Sequence, residues 1–392
     1  MSKIDTKFVT AGRKKEWTSG IVNPPVYRAS TCIFETYQDL QEGLKNPSAK
    51  KLFYGRKGTP TQWALTEAIT ELEGGEGTIL YPSGMAAIAG AVLALVKQGD
   101  HILIPDSAYD PTRHFANTFL KKMGVESSFY SPRAGADIET YLQPNTSVIL
   151  MESPGSLTFE IQDIPAIVSA AKERGIKTVV DNTWATPLFL NPLALGVDIS
   201  VQACTKYICG HSDVMLGSAT ANKATFPALQ YGSYELGQTA SADDAYLALR
   251  GLRTMGVRLR QHQEGALTVA RWLESHDMVH AVNHPALESS PDHALWKRDF
   301  KGSTGLFSFV LKKGKEADSG ALVDNLKYFK MGFSWGGYES LILPSNPSNA
   351  RSVNTWQAPG PLYRVHIGLE DTDDLIRDLS EGLERFREQS NW

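Results

Sequence analysis

Cysteine is scarce in this sequence, and its placement excludes two common structural uses. The three cysteines, Cys32, Cys204 and Cys209, form no CxxC pair, and one is left over if the other two form a bridge. No His/Cys/acid cluster has the spacing of a zinc site, so we expect no metal. Packed free thiols suit a reducing compartment, which predicts a cytoplasmic protein.

Long apolar segments are also absent. The longest apolar run, residues 85–96, is much shorter than a bilayer requires. The sequence opens with Met1-Ser2-Lys3-Ile4-Asp5, which carries an acid early and shows no hydrophobic signal region. We therefore expect no membrane partner.

Neither sign of charge dominates. The chain has 43 acidic and 39 basic residues, a net charge of -4 and a pI of about 6.2. This balance favours no nucleic-acid partner and no anionic membrane surface. The first strand-to-helix turn reads Ser83-Gly84-Met85 rather than GxGxxG, so a nicotinamide dehydrogenase is poorly supported.

The sequence does contain a recurring alternation of short apolar runs and helical stretches. From about residue 61, apolar runs lead into polar or Gly/Pro turns at residues 78–81, 101–105, 148–151, 177–180 and 199–201. This pattern predicts an α/β fold with a mostly parallel sheet wrapped by helices. A long helix is predicted over residues 242–275, broken or bent near Gly251 and Gly256. Beyond it, predicted strands at residues 306–311 and 363–367 and predicted helices near residues 321–328 and at 373–387 indicate a smaller α+β domain.

A chain of 392 residues exceeds the usual size of one core, so we expect more than one domain. We assign residues 1–60 to an irregular N-terminal arm, residues 61–250 to a large domain and residues 251–392 to a small C-terminal domain.

Two ionisable residues follow predicted buried strands, where ligands bind in open α/β sheets. Lys206 follows the run 199–201, and burial there would lower the pKa of its amine; the alternative is a lysine on a surface loop. Asp181 ends the run 177–180, where it suits a pyridinium nitrogen; the alternative is a helix N-cap.

Three further positions suit the same chemistry. Gly84 and Met85 begin a helix, where free N–H groups attract a phosphate, although small residues also permit tight packing. Tyr109 is placed to stack on a ring, although a core tyrosine is commoner. Arg364, on a predicted strand, can bind a carboxylate through two hydrogen bonds, although an arginine at such a position more often forms a surface ion pair.

Several motifs in fixed order resemble the Cys/Met-metabolism family of fold-type-I enzymes that use pyridoxal 5′-phosphate (PLP). The central motif is the lysine signature Ala203-Cys204-Thr205-Lys206-Tyr207-Ile208-Cys209-Gly210-His211. The others are Tyr54-Gly55-Arg56, Tyr81-Pro82-Ser83-Gly84-Met85-Ala86-Ala87, Glu152-Ser153-Pro154-Gly155, Val180-Asp181-Asn182-Thr183-Trp184 and Arg364-Val365-His366-Ile367-Gly368-Leu369-Glu370. The likeness covers nearly the whole chain and implies a large domain with a seven-stranded sheet.

The resemblance also implies roles for individual residues. Lys206 would hold PLP covalently and move protons, Asp181 would pair with the ring nitrogen, and Tyr109 would stack on the ring. Gly84, Met85 and Thr205 would bind the phosphate of PLP. Tyr54 and Arg56 would come from a neighbouring subunit and complete the cofactor site. The substrate would contact Tyr54, Tyr109, Ser334, Trp335 and Arg364. Relatives place a serine near Ala203 or Cys204, so one phosphate hydrogen bond is expected to be missing here.

Segments such as Phe333-Ser334-Trp335-Gly336-Gly337-Tyr338-Glu339-Ser340 resemble the bacterial branch that cleaves the Cβ–S bond of amino-acid thioethers. That branch implies release of a thiol, pyruvate and ammonia, with cysteine desulfhydration as a side activity. The alternatives are a γ-lyase or γ-synthase on the same scaffold, or a non-catalytic PLP-fold binding protein. The resemblance further implies a homo-oligomer, a homotetramer built from dimers that share active sites.

Overall fold

Two β-sheets organise the chain. The computed structural model describes residues 2–45, 50–390 and 392. The strands of the larger sheet are β1 (Gly77–Tyr81), β2 (His101–Pro105), β3 (Glu126–Tyr130), β4 (Thr146–Glu152), β5 (Lys177–Asp181), β6 (Ile199–Gln202) and β7 (Gly217–Ala221). Those of the smaller sheet are β8 (Val279–Asn283), β9 (Leu306–Leu311), β10 (Leu341–Ser345) and β11 (Leu362–His366).

The larger sheet has seven strands in the order β1-β7-β6-β5-β4-β2-β3. The pairs β6–β5, β5–β4, β4–β2 and β2–β3 are parallel, while β7 runs antiparallel to both of its neighbours. Every residue of β2 and β6 is buried, because helices cover both faces of the sheet. The predicted mostly parallel, seven-stranded sheet is confirmed.

Helices flank both sheets. Those of the N-terminal half are α1 (Ile4–Thr10), α2 (Lys15–Thr18), α3 (Tyr37–Lys45), α4 (Pro60–Glu73), α5 (Gly84–Leu93), α6 (Asp110–Phe115), α7 (Ile164–Glu173) and α8 (Thr186–Phe189). Those that follow are α9 (Phe226–Glu235), α10 (Ala242–Ser275), α11 (His293–Asp299), α12 (Ser319–Val323) and α13 (Thr372–Gln389). No helix among the described residues is both long and apolar enough to cross a membrane.

The smaller sheet is antiparallel, in the order β10-β11-β9-β8. Its apolar face packs with α10, α12 and α13 in a second core that contains Phe307, Phe309 and Tyr363. The C-terminal part of the chain is therefore an α+β unit, as the sequence predicts.

Helix α10 belongs to both halves of the structure. It contacts α1 and α4 near its beginning, and β8, β9 and α13 further along. The helix is continuous from Ala242 to Ser275, so the expected break near Gly251 and Gly256 does not occur. At Gly251 an added Cβ would lie 2.2 Å from the Cys209 carbonyl oxygen, so this glycine permits close packing. The predicted domain boundary at 250/251 falls inside this helix, and the division stays a prediction.

The N-terminal arm is less irregular than expected. It contains α1, α2 and α3, and Phe8 of α1 and Trp17 of α2 are buried in the main core. Residues 46–49 of the predicted arm lie outside the described residues. Arg253 on α10 anchors this region by donating hydrogen bonds to the carbonyl oxygens of Phe8 (2.8 Å) and Ala11 (2.9 Å).

Candidate active site

The carboxyl edge of the parallel strands gathers the ionisable residues of the site. Glu152 ends β4 and stands opposite Asp181, which ends β5. Lys206 follows β6, the next strand along the sheet. Because parallel strands place their carboxyl ends at one edge, these three side chains converge there.

Lys206 is mostly enclosed, and its amine has a defined partner. Its Nζ donates a hydrogen bond to the Ser334 hydroxyl at 2.7 Å and lies 5.3 Å from the centre of the Trp335 ring. Burial, assisted by the nearby Arg364 cation, lowers the pKa of the lysine to about 8, against the opposing attraction of Asp181. The unprotonated, nucleophilic amine is therefore accessible near neutral pH.

Asp181 is positioned by the residue two places further along the chain. Its Oδ1 accepts hydrogen bonds from the Thr183 backbone N–H at 3.0 Å and from the Thr183 hydroxyl at 2.5 Å. The Thr183 hydroxyl oxygen also accepts from the Ala203 N–H at 2.8 Å, which ties the carboxyl to the segment that carries Lys206. Burial raises the pKa of Asp181, while the bonds from Thr183 and the charge of Lys206 oppose that rise.

Glu152 is a site residue that the sequence reasoning missed as an individual group. Its Oε2 accepts a hydrogen bond from the Tyr109 backbone N–H at 2.8 Å. Burial and the neighbouring Asp181 raise the pKa of this carboxyl well above its ordinary range. The signal that finds it is the one that found Asp181, a carboxyl at the end of a buried strand.

Tyr109 and Arg364 face the same space from different domains. The Tyr109 side chain is 46% exposed, and its pKa is raised by burial and by Glu152. Arg364 on β11 donates to the Ser334 carbonyl oxygen at 3.3 Å. Burial lowers the pKa of Arg364, and the two side chains affect each other's pKa, which places them near each other.

The predicted phosphate-binding turn lies where Gly84 packs closely on Ala203. The Ser83 hydroxyl caps α5 by accepting a hydrogen bond from the Ala86 N–H at 3.1 Å. The N–H groups of Gly84 and Met85 have no intrahelical partner, because they belong to the first turn of the helix. An added Cβ at Gly84 would lie 2.4 Å from the Ala203 Cβ, so any larger residue at position 84 would push this turn away. Thr205, two residues further, exchanges hydrogen bonds with the Leu216 backbone.

The loop at residues 334–337 brings the small domain onto Lys206. Ser334 and Gly336 both have a φ of +89°, which is a strained region for serine. An added Cβ at Gly336 would lie 2.9 Å from the Lys206 carbonyl carbon, so only glycine allows this approach. The loop thereby places the Ser334 hydroxyl within hydrogen-bond distance of the Lys206 amine.

Tyr54 and Arg56 do not join the site within one chain. The Arg56 guanidinium donates to the Tyr234 carbonyl oxygen at 2.8 Å and lies 4.0 Å from the centre of the Tyr234 ring. Tyr54 is 45% exposed. The structure thus links Lys206 to Ser334 and Trp335, and it links Asp181 through Thr183 to the segment that carries Lys206. It also links Arg364 to Ser334, Tyr109 to Glu152 and Gly84 to Ala203. Met85 and Thr205 are the chain neighbours of Gly84 and Lys206, and the two arm residues lie at the surface.

Comparison with known proteins gives the class of enzyme that this site serves. A family model described as Cys/Met metabolism PLP-dependent enzyme matches residues 5–384, so the chain belongs to that family. A protein from Salmonella typhimurium named cystathionine beta-lyase is 50% identical over 98% of this chain and 99% of its own. A Wolbachia pipientis protein named L-alanine/L-glutamate racemase is 44% identical over 98% of both chains.

A solved structure agrees with these relatives. The chain superimposes on a cystathionine gamma synthase from Xanthomonas oryzae pv. oryzae with a TM-score of 0.90. That chain is 34% identical, with 99% of each chain covered. The predicted fold-type-I architecture and the PLP cofactor are confirmed.

The residues present suit this cofactor. The Lys206 amine is enclosed and readily unprotonated, and a carboxyl tied to its segment ends the neighbouring strand. The first N–H groups of α5, including those of Gly84 and Met85, have no intrahelical partner and can bind a phosphate, and the turn that carries them packs so closely on Ala203 that no Cβ fits at position 84. An aldehyde ring with a basic nitrogen and a phosphate matches these three features.

Proposed function

We propose that the chain is a cystathionine β-lyase, which cleaves L-cystathionine to homocysteine, pyruvate and ammonia and so supplies homocysteine for methionine synthesis. The observation that carries this proposal is the Lys206 amine, held by Ser334 between the acidic strand ends and the Arg364 cation. The 50% identity to the Salmonella enzyme over nearly the whole chain supports this choice of substrate.

The site residues have distinct tasks in this reaction. When bound, PLP supplies covalent attachment for an amino group and an electron sink for the charge left by proton removal. Lys206 would hold it, Asp181 would keep its ring nitrogen protonated, Tyr109 would stack on the ring, and the phosphate would be bound by Gly84, Met85 and Thr205. Arg364 binds the substrate α-carboxylate, with Ser334, Trp335 and Tyr109 lining the substrate.

Lys206 then moves the protons. Its free amine removes the α-proton, and the Cβ–S bond breaks with its electron pair leaving on sulfur. The sulfur takes up a proton and departs as a thiol, and water completes the release of ammonia and pyruvate. A pKa of about 8 lets the same amine accept and return a proton at working pH.

A second candidate, amino-acid racemisation, follows from the 44% identity to the Wolbachia protein. Racemisation needs the same removal of the α-proton by Lys206 but no departure of sulfur. The γ-lyase and γ-synthase alternatives need proton removal at Cβ as well. Product analysis separates all of these reactions.

The decisive experiment incubates the purified holoenzyme with L-cystathionine and identifies the keto acid. Pyruvate with an equal amount of homocysteine is the expected result, because the site is proposed to eliminate at Cβ. Formation of 2-oxobutyrate would instead establish γ-elimination, and D-alanine formed from L-alanine without any keto acid would favour racemisation. Lys206→Ala is the control; it should lose the visible absorbance of bound cofactor and essentially all turnover.

We further propose a cytoplasmic homotetramer built from dimers whose active sites are shared. The support is the position of Tyr54 and Arg56, which are remote from Lys206 in their own chain but belong to the motifs of the family. In the dimer these residues would complete the phosphate and substrate sites of the neighbouring subunit. The three cysteines are free thiols, which suits a reducing cytoplasm.

A further inference from the structure

His366 lies directly behind the loop that contacts Lys206. It stands two residues after Arg364 on β11, so the two side chains point to the same side of the strand. The His366 side chain is buried, and its Nε2 lies 3.2 Å from the Gly336 nitrogen and 3.1 Å from the Gly337 carbonyl oxygen. One ring nitrogen therefore contacts two peptide groups of the loop at residues 334–337: it accepts from the Gly336 N–H in one tautomer and donates to the Gly337 carbonyl oxygen in the other.

That loop has little freedom of its own to hold Ser334 in place. Ser334 has a positive φ, and such a conformation persists only where surrounding contacts impose it. The Gly336 backbone is pressed against Lys206 so closely that no Cβ fits. His366 contacts the backbone of this loop at Gly336 and Gly337.

The surroundings of His366 keep its ring neutral and fixed. Its neighbours are Tyr207, at 6.0 Å between ring centres, and His262 on α10, at 5.2 Å. Burial lowers the pKa of His366, and the cations Arg364 and Lys206 act in the same direction. Burial also lowers the pKa of His262 to about 4, with Arg258 assisting. A neutral ring adds no charge beside the lysine, and its place in the core limits its motion.

We propose that His366 is a positioning residue for the lyase reaction, which holds the Ser334 hydroxyl on the Lys206 amine through its contact with the Gly336 and Gly337 backbone. This inference rests on the proposed function and deepens it. Without the contact, the loop would shift and the lysine would lose its defined orientation toward the substrate α-proton. A displacement of about 1 Å is enough to slow a reaction about a hundredfold.

His284 provides a matched control. It is fully buried like His366, and its Nδ1 accepts a hydrogen bond from a backbone group, the Ala286 N–H, at 3.2 Å. Its other nitrogen, like Nδ1 of His366, has no partner among the described residues. Replacing either histidine with leucine therefore removes a similar volume and a similar bond, but only His366 contacts the loop.

The test compares His366→Leu, His366→Gln and His284→Leu as holoenzymes, measuring melting temperature, kcat and KM. Both leucine variants should lose similar thermal stability. The kcat of His366→Leu should fall roughly tenfold or more, that of His284→Leu should change little, and the reach of the Gln amide should restore part of the loss. Equal losses of kcat in the two leucine variants would reduce His366 to a structural residue and overturn the proposal.

A double-mutant cycle with Ser334→Ala tests the route of the effect. If His366 acts through Ser334, adding His366→Gln to Ser334→Ala should cost little further activity, and fully additive losses would contradict the proposal. The visible absorption of bound cofactor as a function of pH should shift in the His366 variants and not in His284→Leu. That spectrum needs no substrate, so this inference can fail separately from the choice of cystathionine.

Discussion

At the residue scale, the chemistry depends on how the fold sets the proton affinity of one amine. Lys206 is mostly enclosed and lies near the Arg364 cation, and the attraction of Asp181 only partly offsets these two effects, so the pKa of the lysine falls to about 8. Ser334 accepts a hydrogen bond from the same amine and fixes its direction. Burial and orientation thus act together on a group that would be protonated and mobile at a protein surface.

The first prediction concerns the pH dependence of turnover. The α-proton acceptor must be unprotonated, so kcat should rise with pH toward the lysine pKa of about 8 and level off above it. Well below that pH the rise should be about tenfold per pH unit. In Arg364→Gln the rise should move to higher pH, because the cation that helps to lower the pKa of Lys206 is gone.

This prediction is checked by kcat at saturating substrate across the pH range. Arg298→Gln is the control, since Arg298 pairs with Asp163 and Asp299 at the surface, away from Lys206. A profile that stays flat through pH 8 would contradict the assignment of Lys206 as the proton acceptor. A shift to lower pH in Arg364→Gln would contradict the electrostatic argument.

Some site residues were predictable from the sequence, and others were not. Lys206 and Asp181 follow buried strands, so the strand-end rule finds them without a structure. Ser334 and Trp335 entered only through family resemblance, because no local pattern shows that a loop of the second domain reaches Lys206. Thr183 and His366 were not singled out, since their contributions depend on tertiary contacts with Asp181, Ala203 and Gly336.

At the element scale, the prediction succeeded where apolar runs are bounded by strong turn signals. Strands β2 and β9 and helix α10 have the predicted bounds. A helix expected at residues 321–328 is instead α12, which ends at Val323. The buried Asp378 carboxylate accepts the N–H groups of Lys327, Tyr328 and Phe329, which a continuing helix would have used internally. The sequence around residues 321–328 does not show this competition for N–H groups, because Asp378 lies about 50 residues further along the chain.

Helix α4 carries a buried acid that links it to the strand before Lys206. Glu73 is fully buried at the end of α4, and its Oε1 accepts a hydrogen bond from the Gln202 side chain of β6 at 2.9 Å. Its Oε2 has no partner among the described residues. Burial raises the pKa of Glu73 from 4.5 to about 7.

The second prediction follows from that pKa. The Glu73 carboxyl binds its proton more tightly in the folded protein than in the unfolded chain. Ionisation of Glu73 therefore lowers the free energy of unfolding as pH rises from 4.5 through about 7. Glu73→Gln keeps a side-chain oxygen that can accept the hydrogen bond from Gln202, and it removes the carboxyl whose ionisation lowers the stability. The variant should therefore gain stability relative to the wild type with rising pH, by up to about 3 kcal/mol above pH 7.

Denaturant or thermal unfolding on both sides of this pH window measures the difference. Glu71→Gln is the control, because Glu71 lies on the same helix but its side chain is 47% exposed beside Lys7. A constant difference between Glu73→Gln and the wild type at every pH would show that Glu73 titrates normally. The control should show no comparable trend.

At the scale of the whole molecule, the active site is an assembly of parts from separate regions. The large sheet supplies Lys206 and Asp181, and the small domain supplies Ser334, Trp335 and Arg364. Helix α10 runs through both cores and joins them in one structure. The N-terminal arm holds Arg56 away from this assembly in its own chain, against Tyr234. In the proposed dimer, a neighbouring chain would supply the arm residues of the family motif to each site.

The third prediction tests that sharing by subunit mixing. Arg56→Ala and Lys206→Ala chains, each impaired alone, should regain activity when unfolded together and reassembled, because half of the sites in a mixed dimer then receive both wild-type residues. Random pairing should restore about a quarter of wild-type activity. Mixing Lys206→Ala with Asp181→Asn is the matched control: both residues come from the same chain, so every site in that mixed dimer retains one defect. Equal recovery in the two mixtures, or none in the first, would contradict a shared site, since only an arm crossing between chains separates the two outcomes.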